Sequence, residues 1–313
     1  MQSREPVDLH GIVPVLPTPF NSQGEIDVLE LRRVVRFAIA RKVGGICTPA
    51  YGSEFYKLSD SERKSVIETV IAEANGRVPV IACVGHPSTQ VAVEMGRFAQ
   101  RAGAAVLCVL VPRAVPLDSE AILKHIRSIG SSVELPLMLQ DADFVGTGLP
   151  VPFLVRMREE VPNLEYAKLE SVLPGQRYSE LINATKGKLK ILCGWAGMHM
   201  LDALERGACG VMPGCGLVDI YDLVYRAFKT GELPKSRSLF FKLLPSIVFS
   251  MQDIELLNLF EKNLLKARGI IAAADLREPT RGFDAQYVRE LQEYCEYSLS
   301  LLKECGLETS ALD

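Results

Sequence analysis

A lysine inside an apolar segment is the residue of this sequence whose type and position most directly suggest chemistry. Lys168 stands in Leu-Glu-Tyr-Ala-Lys-Leu-Glu at 164–170, a pattern typical of a buried strand. Burying an ammonium group is unfavourable unless it is paired or loses its proton, and burial lowers its pKa. A neutral amine is what a Schiff-base nucleophile requires. A second interpretation stays open, in which Lys168 lies at an exposed strand end or pairs with Glu170.

Glu170 is the second candidate for chemistry. Because side chains alternate along a strand, Glu170 should project to the same side as Lys168. A carboxylate beside the amine could accept and return the protons that imine chemistry moves. We therefore predict Glu170 as a proton-transfer group, with the alternative that it only pairs with Lys168 or with a neighbouring cation.

The elements that must position these residues alternate along the chain. Eight apolar, strand-like segments are predicted at residues 11–17, 44–50, 78–85, 105–112, 135–142, 164–170, 189–195 and 207–213. Helical patterns lie between them at 28–41, 60–74, 89–101, 119–129, 152–159, 175–185 and 198–205. The strands are continuous apolar runs, as expected when helices cover one face and packed side chains fill the other. Eight such units predict an α/β fold, a (β/α)8 TIM barrel.

A doubly wound open sheet is the alternative architecture. It usually carries a glycine-rich turn after the first strand, and here that turn reads Thr-Pro-Phe-Asn-Ser-Gln-Gly-Glu. Beyond the eighth strand the pattern is helical, at 220–229, 238–249, 254–267 and 285–302. We therefore expect a barrel over residues 1–225 and a C-terminal helical domain over 226–313.

The composition indicates a globular protein without a polyanionic partner. The 313 residues are 48% hydrophobic, and 35 Lys and Arg against 38 Asp and Glu give a net charge of −3 without a run of like charges. We expect neither nucleic acid nor a membrane as a partner. A polar start and the lack of an apolar stretch of about 18 residues predict a cytoplasmic protein. Six of the cysteines lie in or beside strand-like segments without zinc spacing, which indicates reduced core residues.

Four motifs together give the sequence a resemblance to a known family. They are Gly-Ile-Val-Pro-Val-Leu-Pro-Thr-Pro-Phe at 11–20, Ala-Tyr-Gly-Ser-Glu-Phe at 50–55 with Leu-Ser-Asp-Ser-Glu-Arg at 58–63, Val-Pro-Val-Ile-Ala at 78–82 and Tyr-Ala-Lys-Leu-Glu at 166–170. From about residue 11 to about residue 270, the sequence resembles the family of dihydrodipicolinate synthase and N-acetylneuraminate lyase. The resemblance implies a TIM barrel with a C-terminal helical domain and Schiff-base chemistry.

The resemblance also implies roles for individual residues. The Schiff-base lysine of the family falls on Lys168, and its carboxylate-binding loop falls on residues 50–53, which include Gly52 and Ser53. Backbone N–H groups in a turn ahead of a helix are suited to an anion. Tyr51 occupies the position of a hydroxyl residue in the family's proton relay. We therefore predict Tyr51 as the alternative proton-transfer group to Glu170.

Departures from the family pattern point to one branch. The family's catalytic tyrosine, 28 positions before the lysine, is here Gln140, which we predict to hydrogen-bond the carbinolamine or a substrate oxygen. Leu-Gln-Asp-Ala at 139–142, followed by Gly-Thr-Gly at 146–148, resembles the branch of 2-keto-3-deoxy-pentonate (arabonate) dehydratases. No arginine stands between Gln140 and Gly148 to grip a second carboxylate, so dihydrodipicolinate synthesis ranks low.

Two segments near the strand ends are less polar than in the family. Val-Pro-Arg-Ala-Val at 111–115 and Gly-Trp-Ala-Gly-Met at 194–198 replace a tyrosine-bearing and an acidic, hydroxyl-binding segment. We predict Arg113, Trp195 and Gly214 as substrate-binding residues. The apolar side chains near the strand ends, with Met212 among them, indicate either ordinary barrel packing or a substrate with a bulky or apolar tail.

The sequence therefore predicts a lyase, either a dehydratase or an aldolase, that holds a small 2-oxo acid as a Schiff base. Two alternatives remain: a barrel enzyme with a phosphate ligand at Gly-Val-Met-Pro-Gly-Cys-Gly, 210–216, and a barrel that binds 2-oxo acids without turnover. The four histidines are scattered, so we expect no metal and no other cofactor. The helical C-terminal segment and the family's habit of assembling through barrel faces predict a homo-oligomer, expected to be a tetramer.

Overall fold

Eight parallel strands lie at the centre of the structure, a computed structural model that describes residues 7–143 and 146–309. The strands are β1 (Gly11–Ile12), β2 (Ile46–Thr48), β3 (Val80–Cys83), β4 (Val106–Leu110), β5 (Leu137–Asp143), β6 (Leu164–Ser171), β7 (Lys190–Cys193) and β8 (Gly210–Val211). Each pairs with its neighbour in the chain from β2 to β8, and β8 pairs with β1. Val15, just after β1, bridges to Cys47 of β2 and so closes the ring. The predicted barrel is confirmed.

The helices follow the strands as predicted. The barrel helices are α1 (Val28–Ala40), α2 (Asp60–Ala74), α3 (Thr89–Ala102), α4 (Ser119–Gly130), α5 (Val151–Glu160), α6 (Pro174–Ala184), α7 (Met200–Glu205) and α8 (Val218–Lys229). Local capping explains several of their ends. Ser59 and Glu62 exchange side-chain and backbone hydrogen bonds in a capping box that begins α2. Gly103, with a φ of 101°, ends α3.

Strand alternation divides the apolar core into an inner part within the barrel and an outer part under the helices. The inner part includes Tyr166 of β6, whereas Ala167 and Leu169 of the same strand belong to the outer part. Lys168 and Glu170 alternate with Leu169 and therefore point inward. The Tyr166 hydroxyl donates to the Val7 carbonyl at 2.5 Å, at the amino-terminal end of the strands. Lys168 and Glu170 therefore lie on the carboxyl-terminal side of the apolar inner core.

Three further helices extend the barrel: α9 (Leu233–Ser250), α10 (Ile254–Ala267) and α11 (Ala285–Glu304). Of these, α10 contacts the carboxyl-terminal end of the barrel, where Asn258 Nδ2 donates to the Tyr51 carbonyl at 3.2 Å. The expected domain boundary between residues 225 and 226 falls inside α8, and it stays a prediction. Within the described residues, no helix has the length and apolar character needed to cross a membrane.

Candidate active site

Lys168 lies where the sequence predicted it, inside β6 and almost completely buried. Its Nζ is 3.1 Å from Oε1 of Glu170, and both side chains are less than a tenth exposed. On the neighbouring strand, Gln140 of β5 is directly in register with Lys168. The structure therefore brings three of the four predicted catalytic residues, Lys168, Glu170 and Gln140, into one cluster.

The Glu170 carboxylate is held in place by several donors. Besides Lys168, Gln140 Nε2 donates to Oε2 at 2.6 Å, and the Trp195 backbone N–H donates to Oε1 at 3.3 Å. Gly194 makes this approach possible, since a Cβ at that position would lie 2.2 Å from the Cγ of Glu170. Gln140 thus orients Glu170 in the resting protein, and its predicted bond to a substrate oxygen stays a prediction.

A turn with unusual backbone angles aims the Trp195 N–H at Glu170. Trp195, Ala196 and Gly197 follow β7 with φ values of 51°, 48° and 77°, a left-handed region that non-glycine residues seldom adopt. The Tyr221 hydroxyl fixes the turn by donating to the Ala196 carbonyl at 2.5 Å. Such strain persists only where surrounding contacts enforce it, and it often accompanies function.

The pKa of Lys168 departs from the expectation based on burial alone. Burial acts to lower it, but the Glu170 carboxylate favours the ammonium, and the net effect raises the pKa of Lys168 above its ordinary value. The contact with Glu170 is the pairing that the sequence left open, and a neutral Lys168 as the nucleophile stays a prediction. A nucleophilic amine requires that a proton leave Nζ, and Glu170 is the acceptor in contact with it.

The loop after β2 forms one side of the same cavity. Tyr51 and Gly52 line this cavity together with Lys168 and Glu170. Burial, reinforced by the charge of Glu170, raises the pKa of Tyr51, so its phenol is neutral near physiological pH and suits a donor better than a base. The Ser53 hydroxyl accepts from the Ala50 N–H at 3.0 Å and donates to the Leu16 carbonyl at 2.5 Å. Ser53 thus shapes the loop, and its predicted contact with substrate stays a prediction.

Arg113 points toward the outer side of β5. Its guanidinium is 2.6 Å from Asp141 Oδ1 and 3.7 Å from Asp143 Oδ2. Asp141 follows Gln140 in the strand and so projects to the opposite side, where it also pairs with Arg177 at 3.1 Å. Arg113 does not line the cavity that contains Lys168. Its predicted role in substrate binding stays a prediction, and the role would require that Arg113 leave Asp141 and contact the substrate instead.

The loop after β8 contacts the carboxyl group of Glu261 in α10, a residue that was not predicted from the sequence. Gly214 lines the cavity, and its predicted contact with substrate stays a prediction. Its lack of a Cβ leaves room for Glu261 of α10, whose Cδ would be 2.1 Å from such an atom. The Gly216 N–H donates to Glu261 Oε2 at 2.6 Å. The same loop was the candidate phosphate site. Its Gly216 N–H already donates to the carboxyl group of Glu261, which counts against a phosphate ligand there.

The described residues that line the cavity combine these polar groups with apolar side chains. It comprises Val15, Tyr51, Gly52, Lys168, Glu170, Ala196, Met212, Pro213, Gly214, Met251, Ile254, Leu257 and Glu261. In the described parts of the chain, no group of three or more His, Cys, Asp or Glu side chains is arranged to hold a metal ion. The arrangement offers an amine, an adjacent proton acceptor and a loop suited to an anion. Those are the parts that imine formation with a 2-oxo acid needs.

Comparison with known proteins agrees with this chemistry. The Dihydrodipicolinate synthetase family model matches residues 8–297. The chain belongs to the dihydrodipicolinate synthetase family. It is 32% identical over 275 residues to an L-2-keto-3-deoxyarabonate dehydratase of Azospirillum brasilense, covering 86% of this chain and 88% of that protein.

Other relatives in the dihydrodipicolinate synthetase family agree. A 4-hydroxy-tetrahydrodipicolinate synthase of Nitratidesulfovibrio vulgaris (strain DP4) is 28% identical over 239 residues, 75% of this chain and 80% of that protein. The crystal structure of a putative dihydrodipicolinate synthetase from Pseudomonas aeruginosa superposes with a TM-score of 0.86 at 27% identity, covering 92% of this chain and 99% of that one. The family match includes α10, so Glu261 as well as Lys168 lies within it.

Replacing Gly194 with alanine tests the placement of Glu170. The new Cβ would overlap the Glu170 side chain, which must move away from Lys168 and Gln140. We expect turnover by this lyase to fall about a hundredfold, the loss typical of a small misplacement at a reacting centre. Steady-state kinetics measure this loss, and thermal unfolding reports on the fold.

Gly282→Ala is the matched control, because a Cβ there meets no atom within 4 Å and its φ is not positive. Equal activity of the two variants would show that Glu170 need not occupy the observed position.

Proposed function

We propose that this lyase forms a Schiff base between Lys168 and a 2-keto-3-deoxy sugar acid and dehydrates that acid. The observation that carries the proposal is the buried contact of Lys168 Nζ with Glu170, 3.1 Å apart in the cavity that Tyr51 and Gly52 also line. The dehydratase relative that covers 86% of the chain supports dehydration over carbon–carbon cleavage. The loop at residues 50–53 would receive the substrate carboxylate, and because the Ala50 and Ser53 N–H groups donate within the loop, Gly52 would supply a backbone donor.

Imine formation begins with the proton that Glu170 can accept. Transfer of one proton from Lys168 to Glu170 leaves a neutral amine, which attacks the ketone carbon at C2 of the substrate. One proton of the attacking nitrogen moves to the ketone oxygen, which gives the carbinolamine. Glu170 then returns its own proton to the carbinolamine hydroxyl, which leaves as water, and the protonated imine remains. Both groups are buried and lie 3.1 Å apart, so the proton moves over a short distance with little water between the donor and the acceptor. The low dielectric of the buried site also strengthens the interaction between the two groups.

The protonated imine then acts as an electron sink. Glu170 removes a proton from C3, which gives an enamine, and the hydroxyl group on C4 departs with that proton as water. Hydrolysis of the conjugated imine releases the product and restores Lys168 as an ammonium. Tyr51, a neutral phenol, would donate a hydrogen bond to a substrate oxygen, and Gln140 and the Trp195 N–H would keep Glu170 aligned during both transfers.

The assembly and location of the protein are further parts of the proposal. We propose a cytoplasmic homo-oligomer, expected to be a tetramer. Exposed apolar side chains support it: Leu173 and Val172 beyond β6 are 87% and 46% exposed, and Phe241 of α9 is 63% exposed. Exposed apolar residues that form a contiguous patch commonly mark a contact between subunits.

The assembly prediction can be checked by sedimentation. At micromolar concentration we expect the mass of a tetramer, because contact between subunits would remove the exposed apolar side chains of α9 and of the segment after β6 from water. A monomeric mass at that concentration would contradict the prediction.

The nucleophile is tested by Lys168→Ala. Without Nζ no imine can form, so both turnover and borohydride-dependent labelling by pyruvate should be lost. Labelling is measured as the added mass of the intact protein. The control is Lys124→Ala, on the exposed face of α4, which should be labelled like the wild type. Undiminished labelling of Lys168→Ala would identify another lysine as the nucleophile.

The role of Glu170 is tested by Glu170→Gln. Loss of the proton acceptor should lower turnover by about a hundredfold to ten-thousandfold, while pyruvate labelling still reaches completion. The carboxylate raises the pKa of Lys168, so its removal leaves burial to lower that pKa. The pH dependence of the labelling rate should therefore shift to lower pH.

Glu165→Gln, on the same strand but on the opposite side from Lys168, is the matched control. A purely structural role for Glu170 predicts equal losses in labelling and turnover and no shift with pH.

A further inference from the structure

Helix α10 carries a carboxyl group into the cavity that the mechanism above does not use. Ile254, Leu257 and Glu261 line the cavity and stand at positions i, i+3 and i+7 of α10, on one face of the helix. That face lies on the same cavity as Lys168 and Glu170. Glu261 thus enters the cavity from α10, whereas Lys168 enters it from β6. Its carboxyl group is placed to contact the part of a substrate that extends away from the lysine.

The protein fixes Glu261 in its position. The carboxyl group is buried and accepts the Gly216 N–H at 2.6 Å. Gly214 is needed for this approach, because a Cβ there would lie 2.1 Å from Cδ of Glu261, and a Cβ at Gly216 would crowd Oε2 at 3.0 Å. The position of this carboxyl group is therefore set before a ligand enters.

Glu261 has no ion-pair partner among residues 7–143 and 146–309. Arg268 is the cation whose charge reaches it, but that guanidinium pairs with Asp219 and donates to the Gly216 carbonyl, each at 2.7 Å. Burial raises the pKa of Glu261 to about 7, against the opposing effects of the loop N–H groups and Arg268. The group therefore changes between a neutral carboxyl and an unpaired carboxylate near physiological pH.

The charges of the cavity limit the substrates that fit. Among the described residues that line it, Lys168 is the one cation; it pairs with Glu170 and, in the proposed reaction, becomes part of the imine. On the proposed function, the loop at residues 50–53 would accommodate the substrate carboxylate. A second carboxylate at the far end of the substrate would meet Glu261 between apolar walls such as Met212 and Leu257, where like charges repel strongly. A hydroxyl group there could donate to the carboxylate.

We propose that Glu261 is a specificity-determining residue that binds a hydroxyl group at the distal end of the substrate and excludes a second carboxylate. The inference rests on the proposed function and adds to it a class of substrate, monocarboxylic hydroxy-2-oxo acids. Helix α10, outside the barrel strands, thereby selects the substrate.

Two substrates that differ in one group test the inference. They are 4,5-dihydroxy-2-oxopentanoate and 4-hydroxy-2-oxoglutarate, which carry a hydroxymethyl group or a carboxylate beyond carbon 4. We expect wild-type protein to prefer the first by kcat/KM, and Glu261→Gln to narrow that preference by about tenfold or more, since like charges in close contact are strongly unfavourable. Glutamine keeps the size and an acceptor for the Gly216 N–H. The control is Glu293→Gln on the exposed surface of α11.

The pH dependence of the substrate preference of the wild-type protein is a second test, and it does not depend on whether the Glu261→Gln variant folds. The preference for the hydroxymethyl substrate should be stronger at pH 8 than at pH 6, because Glu261 loses its proton through that range. Burial raises the pKa values of Cys215, Tyr221 and Cys295, which lie near Glu261, so these thiol and phenol groups stay neutral between pH 6 and pH 8. Both substrates use the same Lys168 and Glu170, so their effects cancel in the ratio.

Pyruvate labelling separates the two levels of the proposal. If pyruvate labels wild type and Glu261→Gln equally, but the preference is unchanged in the variant and constant between pH 6 and pH 8, the role of Glu261 is overturned and the Schiff-base function stands. If pyruvate with borohydride fails to label the wild type, the Schiff-base function is overturned, and the inference about Glu261 falls with it.

Discussion

The buried pair of Lys168 and Glu170 is the interaction on which the rest of the site depends. Removing two charges from water is expensive, and their attraction compensates for it only when further hydrogen bonds satisfy both groups. Here Gln140 and the Trp195 N–H supply two of those bonds to the carboxylate. These bonds require that β5, β6 and the turn after β7 keep their relative positions. The left-handed backbone at Trp195 follows from this requirement, because it directs the Trp195 N–H toward Glu170.

The covering helix α10 connects loops that are far apart in sequence. Asn258 holds the loop after β2 through the Tyr51 carbonyl, and Lys262 pairs with Glu54 of the same loop at 2.5 Å. Glu261 meanwhile accepts from the loop after β8. The loop after β2 and the loop after β8 are thus both fixed by one helix, which makes the C-terminal segment part of the cavity.

The sequence predicted the barrel well because each strand and helix is encoded locally. Apolar runs of the right length and capping residues such as Ser59 lie within the elements that they define, and the inward direction of Lys168 and Glu170 follows from alternation. The direction of the pKa shift of Lys168 does not follow from burial alone, because it also depends on the distance to the Glu170 carboxylate, which no sequence pattern specifies. The partners of Arg113 and Gln140 likewise lie on neighbouring strands.

Glu261 was missed although the sequence contained a signal. In the segment 254–267, three polar residues, Asn258, Glu261 and Lys262, occupy the face that is otherwise apolar, and all three are buried. Buried polar residues on an apolar face need partners, and here the partners are loops of the barrel. Only the fold shows which loops they are, since they lie more than forty residues away in the chain.

The most direct test of this account is a crystal structure of the protein after reaction with pyruvate and borohydride. The account predicts a covalent bond from Lys168 Nζ to C2 of the former pyruvate, its carboxylate against residues 50–53, and Glu170 beside the new secondary amine with its bonds to Gln140 and Trp195 kept. An adduct on a different lysine, or Glu170 turned away from Lys168, would contradict it.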